Sequence, residues 1–365
     1  MKDKGRKILY PMVMLGLGLA GGALLGKGVI DVSSHYPGMP FGVLMLLSLA
    51  WAYFSMFVQI VIHESGHLIF GLLSGYRFVS FRVFGMMWIR EKGQLCRRSY
   101  SLAGTGGQCL MDAPDTDPLP VILYNMGGVI MNLLASGCAL MLCMVFRGPL
   151  IRLMAWTFAA VGIIYALING IPITTAAVQN DGANTLELLK YPETKEAMRK
   201  QLRVNALMSD GRRLKDMPAD LFETDSSGYR HSLNVSIGVF KAMRLIDEHR
   251  FAEADEQIST LMHLPSLPGV YKMQLEMEHV FLQIMNGNRD SALITESVKE
   301  ALKAMKGSLS AVRTAYAVQR YILKNPEQAY RYRKHYEQML ADWPYTGEAE
   351  EERELMDLIS GLEQI

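Results

Sequence analysis

The feature that most constrains the fold is the run from Phe41 to Leu73, whose only charged side chain is Glu64. A mainly apolar segment of about 20 residues crosses the hydrocarbon core of a bilayer as a helix, and this run is longer. It is therefore predicted to span a membrane. An ionisable residue within a span is costly and marks a functional site by default, which draws attention to the surroundings of Glu64.

Glu64 belongs to the pattern H-E-x-x-H, which reads HESGH over residues 63–67. On a helix, His63 and His67 project from one face and can bind one metal ion. The glutamate between them is then placed to activate a zinc-bound water. The competing interpretation, two buried structural histidines and a chance glutamate, leaves a charge at membrane depth without a reason.

Charge divides the chain into two halves. Only eight of the 36 acidic residues fall within residues 1–182, whereas residues 183–365 are rich in Glu, Lys, Arg, Asp and Gln. We therefore predict a transmembrane domain over residues 1–185 and a cytoplasmic α-helical domain over residues 190–365. The net charge of +1 and the lack of a basic stripe in the tail argue against a nucleic-acid partner.

Four segments are apolar and long enough to span: residues 8–30, 42–73, 120–146 and 149–170. The first is predicted to be retained, because it is long for a secretory signal and ends without a clear cleavage site. Lys and Arg concentrate at the N-terminus and in the loop 74–119, which predicts a multi-pass cell-membrane protein with both termini in the cytoplasm. His67 then lies roughly 9 Å from the cytoplasmic end of its span.

A catalytic zinc site usually has three protein ligands, and Asp181 is the candidate for the third. It follows the fourth span, which Gly170 and Pro172 are expected to end. The alternative is an aspartate that caps the helix predicted over residues 183–190. The residues alone leave these two roles open.

Three motifs occur in order on the predicted spans. They are H-E-x-x-H at His63–His67, G-x-x-x-N at Gly128–Asn132, and N-x-x-P at Asn169–Pro172 followed by Asp181–Gly182. In these motifs residues 40–185 resemble the site-2 protease family of intramembrane zinc metalloproteases. The resemblance implies a Zn²⁺ cofactor held by His63, His67 and Asp181. Glu64 is then the catalytic base.

The chain departs from the family pattern after Pro172. Eight residues separate Pro172 from Asp181, more than the family usually has, and Ala183 stands in place of a second glycine. The insertion predicts either an extra turn or a different register before the third ligand.

Four further residues are predicted to contact substrate. Asn132 and Asn169 either hydrogen-bond across helices or bind the substrate backbone or the developing oxyanion. Gly106 and Gly107 lie in a glycine-rich stretch that is either a flexible connector or an edge strand pairing with an unwound substrate. Strands are predicted over residues 76–84 and 96–102 with a turn at 92–93, and the resemblance implies a small sheet beside the zinc.

The tail carries three loosely similar segments with turn-like centres near Arg250, Asn288 and Asn325, separated by 38 and 37 residues. Tetratricopeptide hairpins recur at about 34 residues, so a tetratricopeptide-like domain is predicted. An irregular helical bundle without a binding role is the alternative. Stacked hairpins present a concave surface, which predicts a protein regulator as a partner of this domain.

The sequence thus predicts an all-α polytopic membrane protein with about four transmembrane helices, a small β-sheet insertion near the active site, and a C-terminal all-α, tetratricopeptide-like soluble domain. The predicted function is that of an intramembrane zinc metalloendopeptidase acting in the lipid bilayer. Its substrate would be a transmembrane or membrane-anchored peptide, in regulated proteolysis or precursor processing. The alternative is a membrane-anchored helical-repeat scaffold with a non-catalytic metal site.

Overall fold

The computed structural model describes residues 2–100, 106–173, 179–224, 228–265 and 267–362. The described helices are α1 (Lys2–His35), α2 (Phe41–Leu73), α3 (Val121–Val145), α4 (Pro149–Gly170), α5 (Asp181–Lys190), α6 (Thr194–Ser209), α7 (Ser232–Asp247), α8 (Phe251–Met262), α9 (Gly269–Met285), α10 (Glu296–Ala304), α11 (Leu309–Ala317), α12 (Pro326–Ala341) and α13 (Thr346–Ser360). Short 3₁₀ turns lie at Leu214–Asp216, Ala219–Phe222 and Ser291–Leu293, and a π-helical turn at Val318–Ile322 follows α11.

The described residues form two compact units. The first comprises residues 2–74, 120–173 and 179–186, and the second comprises the strands, their flanking segments and the described residues from 187 onward. The predicted division at residues 185–190 places the strands with the membrane helices, whereas here they belong to the second unit. The predicted domain division stays a prediction.

The first unit contains the membrane-spanning helices. Among the described residues, α2, α3 and α4 are long and apolar enough to cross a membrane. The first and last residues of each helix lie close to the bounds of a predicted span, and α4 ends at Gly170 as the sequence predicted. Helix α1 covers the first predicted segment but is not among these three, so the fourth span stays a prediction.

Polarity in the first unit is reversed relative to a water-soluble protein. Ser55, Gln59 and Asn132 are fully buried between the helices, whereas Leu46 and Met144 expose 68% and 83% of their surface. Apolar side chains that face outward are stable against lipid, and polar side chains in a span face the interior, where they find partners. This arrangement is the one expected of a bundle in a bilayer.

The strands form one antiparallel sheet in the second unit. They are β1 (Arg77–Val83), β2 (Met86–Glu91), β3 (Gln94–Ser99) and β4 (Gly107–Asp112), in the order β3-β2-β1-β4. The predicted small sheet is confirmed, and the turn at Lys92–Gly93 has positive φ at both residues, as tight hairpins require. That turn joins β2 to β3, however. Strand β2 was not predicted from the sequence, and it follows a second turn at Phe84–Gly85.

The rest of the second unit is helical. Helices α7 and α8, α9 and α10, and α11 and α12 follow one another in pairs, with the connections near the predicted centres at Arg250, Asn288 and Asn325. The helical character of the tail is therefore as predicted. Its assignment to the tetratricopeptide class stays a prediction.

A buried ionic cluster joins three of these helices. Arg313 on α11 exposes 1% of its side chain, and it donates hydrogen bonds to Glu278 on α9 and Glu352 on α13, each at 2.9 Å. Its guanidinium group also stacks on the Phe281 ring, 3.7 Å from the centroid. Removal of one partner from such a cluster leaves the remaining charges buried without compensation.

We expect Arg313→Met to lower the free energy of unfolding of the tail by about 3–5 kcal/mol, because two buried carboxylates lose their cation. The measurement is urea denaturation of the full-length protein in detergent, followed by circular dichroism. The matched control is Arg331→Met, which removes an exposed pair with Glu327 and should cost less than about 1 kcal/mol. Equal effects of the two substitutions would contradict this account of the cluster.

Candidate metal centre

Helix α2 carries two histidines to the same point. His63 and His67 stand one turn apart, and their Nε2 atoms lie 3.2 Å from each other. Residues four apart share a face of a helix, so this proximity follows from the spacing of the motif once the segment is helical.

Asp181 joins the two histidines. It is the first residue of α5, and its Oδ2 atom lies 3.1 Å from Nε2 of His63 and 3.4 Å from Nε2 of His67. Ligand atoms about 2.0–2.2 Å from a tetrahedral zinc ion are roughly 3.3–3.6 Å apart. The three atoms therefore form a triangle close to one face of a zinc coordination tetrahedron.

The second nitrogen of each histidine ring is already bonded to the protein. Nδ1 of His63 lies 2.8 Å from Oδ1 of Asn132, and Nδ1 of His67 lies 2.8 Å from the carbonyl oxygen of Tyr124. Both partners are acceptors, so each Nδ1 carries the hydrogen in a neutral ring. The two Nε2 lone pairs then point into the cluster, as in metal sites whose outer ligands orient the inner ones.

The electrostatics of the three atoms also suit a cation. The Oδ2 atom of Asp181 is buried without a geometrically good hydrogen bond. Two nitrogen lone pairs and one carboxylate oxygen at this separation repel one another unless a cation lies between them. The residues fit a zinc ion.

Glycines allow α2 and α3 to approach closely at the centre. A Cβ atom on Gly66 would lie 2.2 Å from the carbonyl oxygen of Gly127, and one on Gly128 would lie 2.5 Å from the His63 ring. Only glycine permits these contacts. A larger residue would force the backbones of α2 and α3 apart, and the remaining contacts between the two helices would be lost. The small residues before Asn132 therefore position His63.

The amide of Asn132 extends the hydrogen-bonded network to Gln59. Nδ2 of Asn132 donates to the backbone oxygen of Gln59 at 2.9 Å and to its Oε1 at 2.7 Å, and Nε2 of Gln59 donates to the carbonyl of Phe158 at 3.2 Å. With the Nδ2 donor occupied there, Oδ1 of Asn132 is left to accept from His63. The sequence left two roles open for Asn132, and this geometry favours the one in which its amide hydrogen-bonds across helices.

Asn180 forms two hydrogen bonds with Ile173, which precedes it by seven residues. The backbone N–H of Asn180 donates to the carbonyl of Ile173 at 3.3 Å, and Oδ1 of Asn180 accepts from the backbone N–H of Ile173 at 3.1 Å. Ile173 and Asn180 are therefore neighbours in space, and Asp181 lies beside the histidines despite the long spacing from Pro172. The insertion for which the sequence predicts an extra turn or a different register includes residues 174–178, which lie outside the described residues.

Asn180, not Asp181, caps α5. Oδ1 of Asn180 accepts a hydrogen bond from the backbone N–H of Ala183 at 2.9 Å, which is the bond of an N-cap residue. The Asp181 carboxylate is thus left for the histidines. Gly182 allows the start of α5 to press against the end of α4, because a Cβ atom there would lie 2.1 Å from the carbonyl oxygen of Gly170.

The remaining predicted residues are placed as follows. Glu64 lies half-buried on α2 between the two histidines. Asn169 lies in the last turn of α4 and donates to the Tyr165 carbonyl at 3.1 Å. Gly106 and Gly107 lie at the start of β4 in the other compact unit, outside the metal cluster's unit. The catalytic and substrate-binding roles of these residues stay predictions.

Two contributors to the cluster were missed in the sequence. Gln59 precedes His63 by one turn and is an isolated amide in an apolar run, a signal of the same kind as Glu64. Asn180 directly precedes the candidate ligand and was assigned no role, although asparagine is a favoured N-cap residue.

Comparison with known families agrees with this geometry. The model of peptidase family M50 matches residues 51–328, which is more than half of the chain and includes every residue of the cluster. Comparison with curated proteins and with solved structures gives no match.

We expect Gly128→Ala to lower zinc affinity at least ~10-fold, because its Cβ atom displaces the His63 ring from its partner. The measurement is zinc content by mass spectrometry together with competition by a chelator. Gly137→Ala on the same helix is the matched control, since a Cβ atom there meets nothing within 4 Å. Unchanged affinity in the first variant would contradict the packing role of Gly128.

The role of Asn132 is tested by two substitutions. Asn132→Leu removes the acceptor for His63 Nδ1 and should lower zinc affinity by about 10–100-fold. Asn132→Asp retains an acceptor oxygen at that position and should bind zinc more tightly than the leucine variant. The same chelator competition measures both. If the two variants bind zinc equally, the contact to His63 does not support the metal site.

Proposed function

Because the chain belongs to peptidase family M50, the site-2 protease family, we propose that it is a zinc endopeptidase that cleaves transmembrane or membrane-anchored peptides. Membership of the family makes it a membrane metallopeptidase. The observation that carries the finer proposal is the convergence of three ligand atoms from His63, His67 and Asp181 inside a bundle of apolar helices.

The three ligands hold the metal in our proposal. A zinc ion bound there supplies a Lewis acid that lowers the pKa of water and polarises a carbonyl oxygen. His63 and His67 contribute neutral nitrogens, whose orientation is fixed by Asn132 and by the Tyr124 carbonyl. The ligand set leaves a fourth position, as catalytic zinc sites do.

Glu64 is the residue that we assign to proton transfer. Its carboxylate accepts a proton from the attacking water and then donates it to the amine nitrogen of the leaving peptide. Three observations support the assignment: it lies between the two histidines on α2, it is half-buried, and it is the only acidic residue of that helix. Asn132 and Gln59 act as positioning residues behind His63.

Substrate presentation is assigned by us to β4. Cleavage requires an extended peptide, and an unpaired strand edge can bind one through backbone hydrogen bonds. Strand β4 is an edge of the sheet, with Gly106 and Gly107 at its start. Asn169, in the last turn of α4, is a candidate donor to the substrate backbone.

The orientation in the membrane is proposed from charge. Basic residues at the N-terminus and in the loop before α3 place both on the cytoplasmic side. Scission then occurs near the cytoplasmic face, and the helical tail lies in the cytoplasm, where we propose that it binds a protein regulator.

We expect Glu64→Gln to retain zinc and to lower peptide-bond cleavage by at least 10²-fold, because the proton acceptor is lost and the ligands remain. The measurement compares membrane-protein fragments in cells that carry either form, with zinc content determined on the purified proteins. Asp181→Asn is the companion variant and should lose zinc and activity together.

The competing scaffold function predicts a different result. A metal site that is only structural would leave the fragment pattern of Glu64→Gln cells identical to that of the parent. That outcome would overturn the proposed activity. Loss of zinc from Glu64→Gln would instead contradict the role given to Glu64.

A further inference from the structure

A groove on the first unit, away from the metal cluster, combines an apolar floor with cations at one end. Its volume is about 580 Å³, within the usual range for small-ligand sites, about 300–1,000 Å³. Helix α4 lines it with Arg152, Trp156 and residues at helical spacing down to Ile164, and α1 lines it with Lys27 and residues up to Gly21. The metal ligands are not among its lining residues.

The groove has the length of one membrane leaflet. From Pro149 at the start of α4 to Ile164 is 15 residues, or roughly 22 Å of helix. Half of the hydrocarbon core is about 15 Å thick, and the remainder corresponds to the headgroup region. The chemistry changes along this length, from charged side chains at the helix ends to Leu24, Val161 and Ile164 further in.

Three cations line the groove near the end of α1 and the start of α4. Lys27, Arg147 and Arg152 line it, and all three are exposed. Within the described ranges, none of the three takes part in an ion pair. Asp31 also lines the groove, and the three cations and this one carboxylate sum to a net charge of +2.

The position of Lys27 relative to the membrane indicates what this charge could bind. Lys27 lies near the end of the first predicted span, residues 8–30, so its exposed ammonium group is close to the predicted membrane surface. A partner that is anionic at the membrane surface and apolar below it satisfies both ends of the groove at once.

We propose that this groove binds an anionic phospholipid, with its phosphate among Lys27, Arg147 and Arg152 and one acyl chain along α1 and α4. Exposed Trp156 lies where the chain passes. A transmembrane helix of a substrate matches the apolar part equally well, but it offers no anion to the three cations. The lipid is therefore the occupant that the charges favour.

The test is native mass spectrometry of the full-length protein in detergent, with phosphatidylglycerol or phosphatidylcholine added. We expect preferential retention of phosphatidylglycerol by the parent protein. The triple variant Lys27→Ala, Arg147→Ala, Arg152→Ala should lower that retention at least ~10-fold, since each cation can make a charge-assisted hydrogen bond to the lipid phosphate. Its zinc content, measured in parallel, should match that of the parent and shows that the unit is folded.

The matched control removes three exposed cations from the tail, Lys303→Ala, Lys306→Ala and Lys334→Ala, and should leave retention unchanged. Equal retention of the two lipids by the parent, or equal losses in the two triple variants, would overturn the proposal. A photo-crosslinking amino acid in place of Ala160 provides a second measurement. A lipid adduct supports the proposal, and a peptide adduct there would show that a substrate occupies the groove instead.

Discussion

The crossing of α2 and α3 is the constraint on which the metal cluster depends. At this crossing the glycines Gly66, Gly127 and Gly128 bring backbone against backbone and leave room for one imidazole ring. In lipid there is no hydrophobic force to drive helices together, so close packing and interhelical hydrogen bonds must hold them. The glycines allow the close packing, and Asn132 supplies interhelical hydrogen bonds. Both Gly128 and Asn132 contact the His63 ring. The position of the ligand is thus set by the same contact that holds the bundle together.

Much of this could be predicted from residue spacing. The pattern of histidines four apart specifies their meeting once α2 is helical, and the apolar runs specify three of the spans. The contribution of Asp181 could not be derived in the same way, because it depends on how the chain returns after α4. That return is determined by two bonds between Ile173 and Asn180, which join residues whose proximity no periodicity indicates.

The sheet shows a different limit. The turn at Lys92–Gly93 carried the expected glycine signal, but the turn at Phe84–Gly85 places a phenylalanine at φ 49°, where bulky residues are rare. A rule based on turn residues therefore overlooks it, and β2 with it. Its cost must be met by the surrounding strand pairing, in which β1 is bonded on both sides, to β2 and to β4. Tertiary pairing here overrides local preference.

Polar groups in the spanning unit are of two kinds, those bonded to other helices and charges without an ion-pair partner among the described residues. Gln59 and Asn132 are buried and their amides are bonded to other helices, so they hold the structure together. Lys27 and Arg152 lie on the same bundle without an ion-pair partner among the described residues, beside a groove that opens outward. A satisfied polar group within a membrane indicates positioning, and an unsatisfied charge indicates that something else binds. The metal cluster belongs to the second kind, because two imidazole nitrogens and a carboxylate oxygen lie 3.1–3.4 Å from one another. The cation that they require and the anion that the groove requires follow from the same argument about charge in a medium of low dielectric constant.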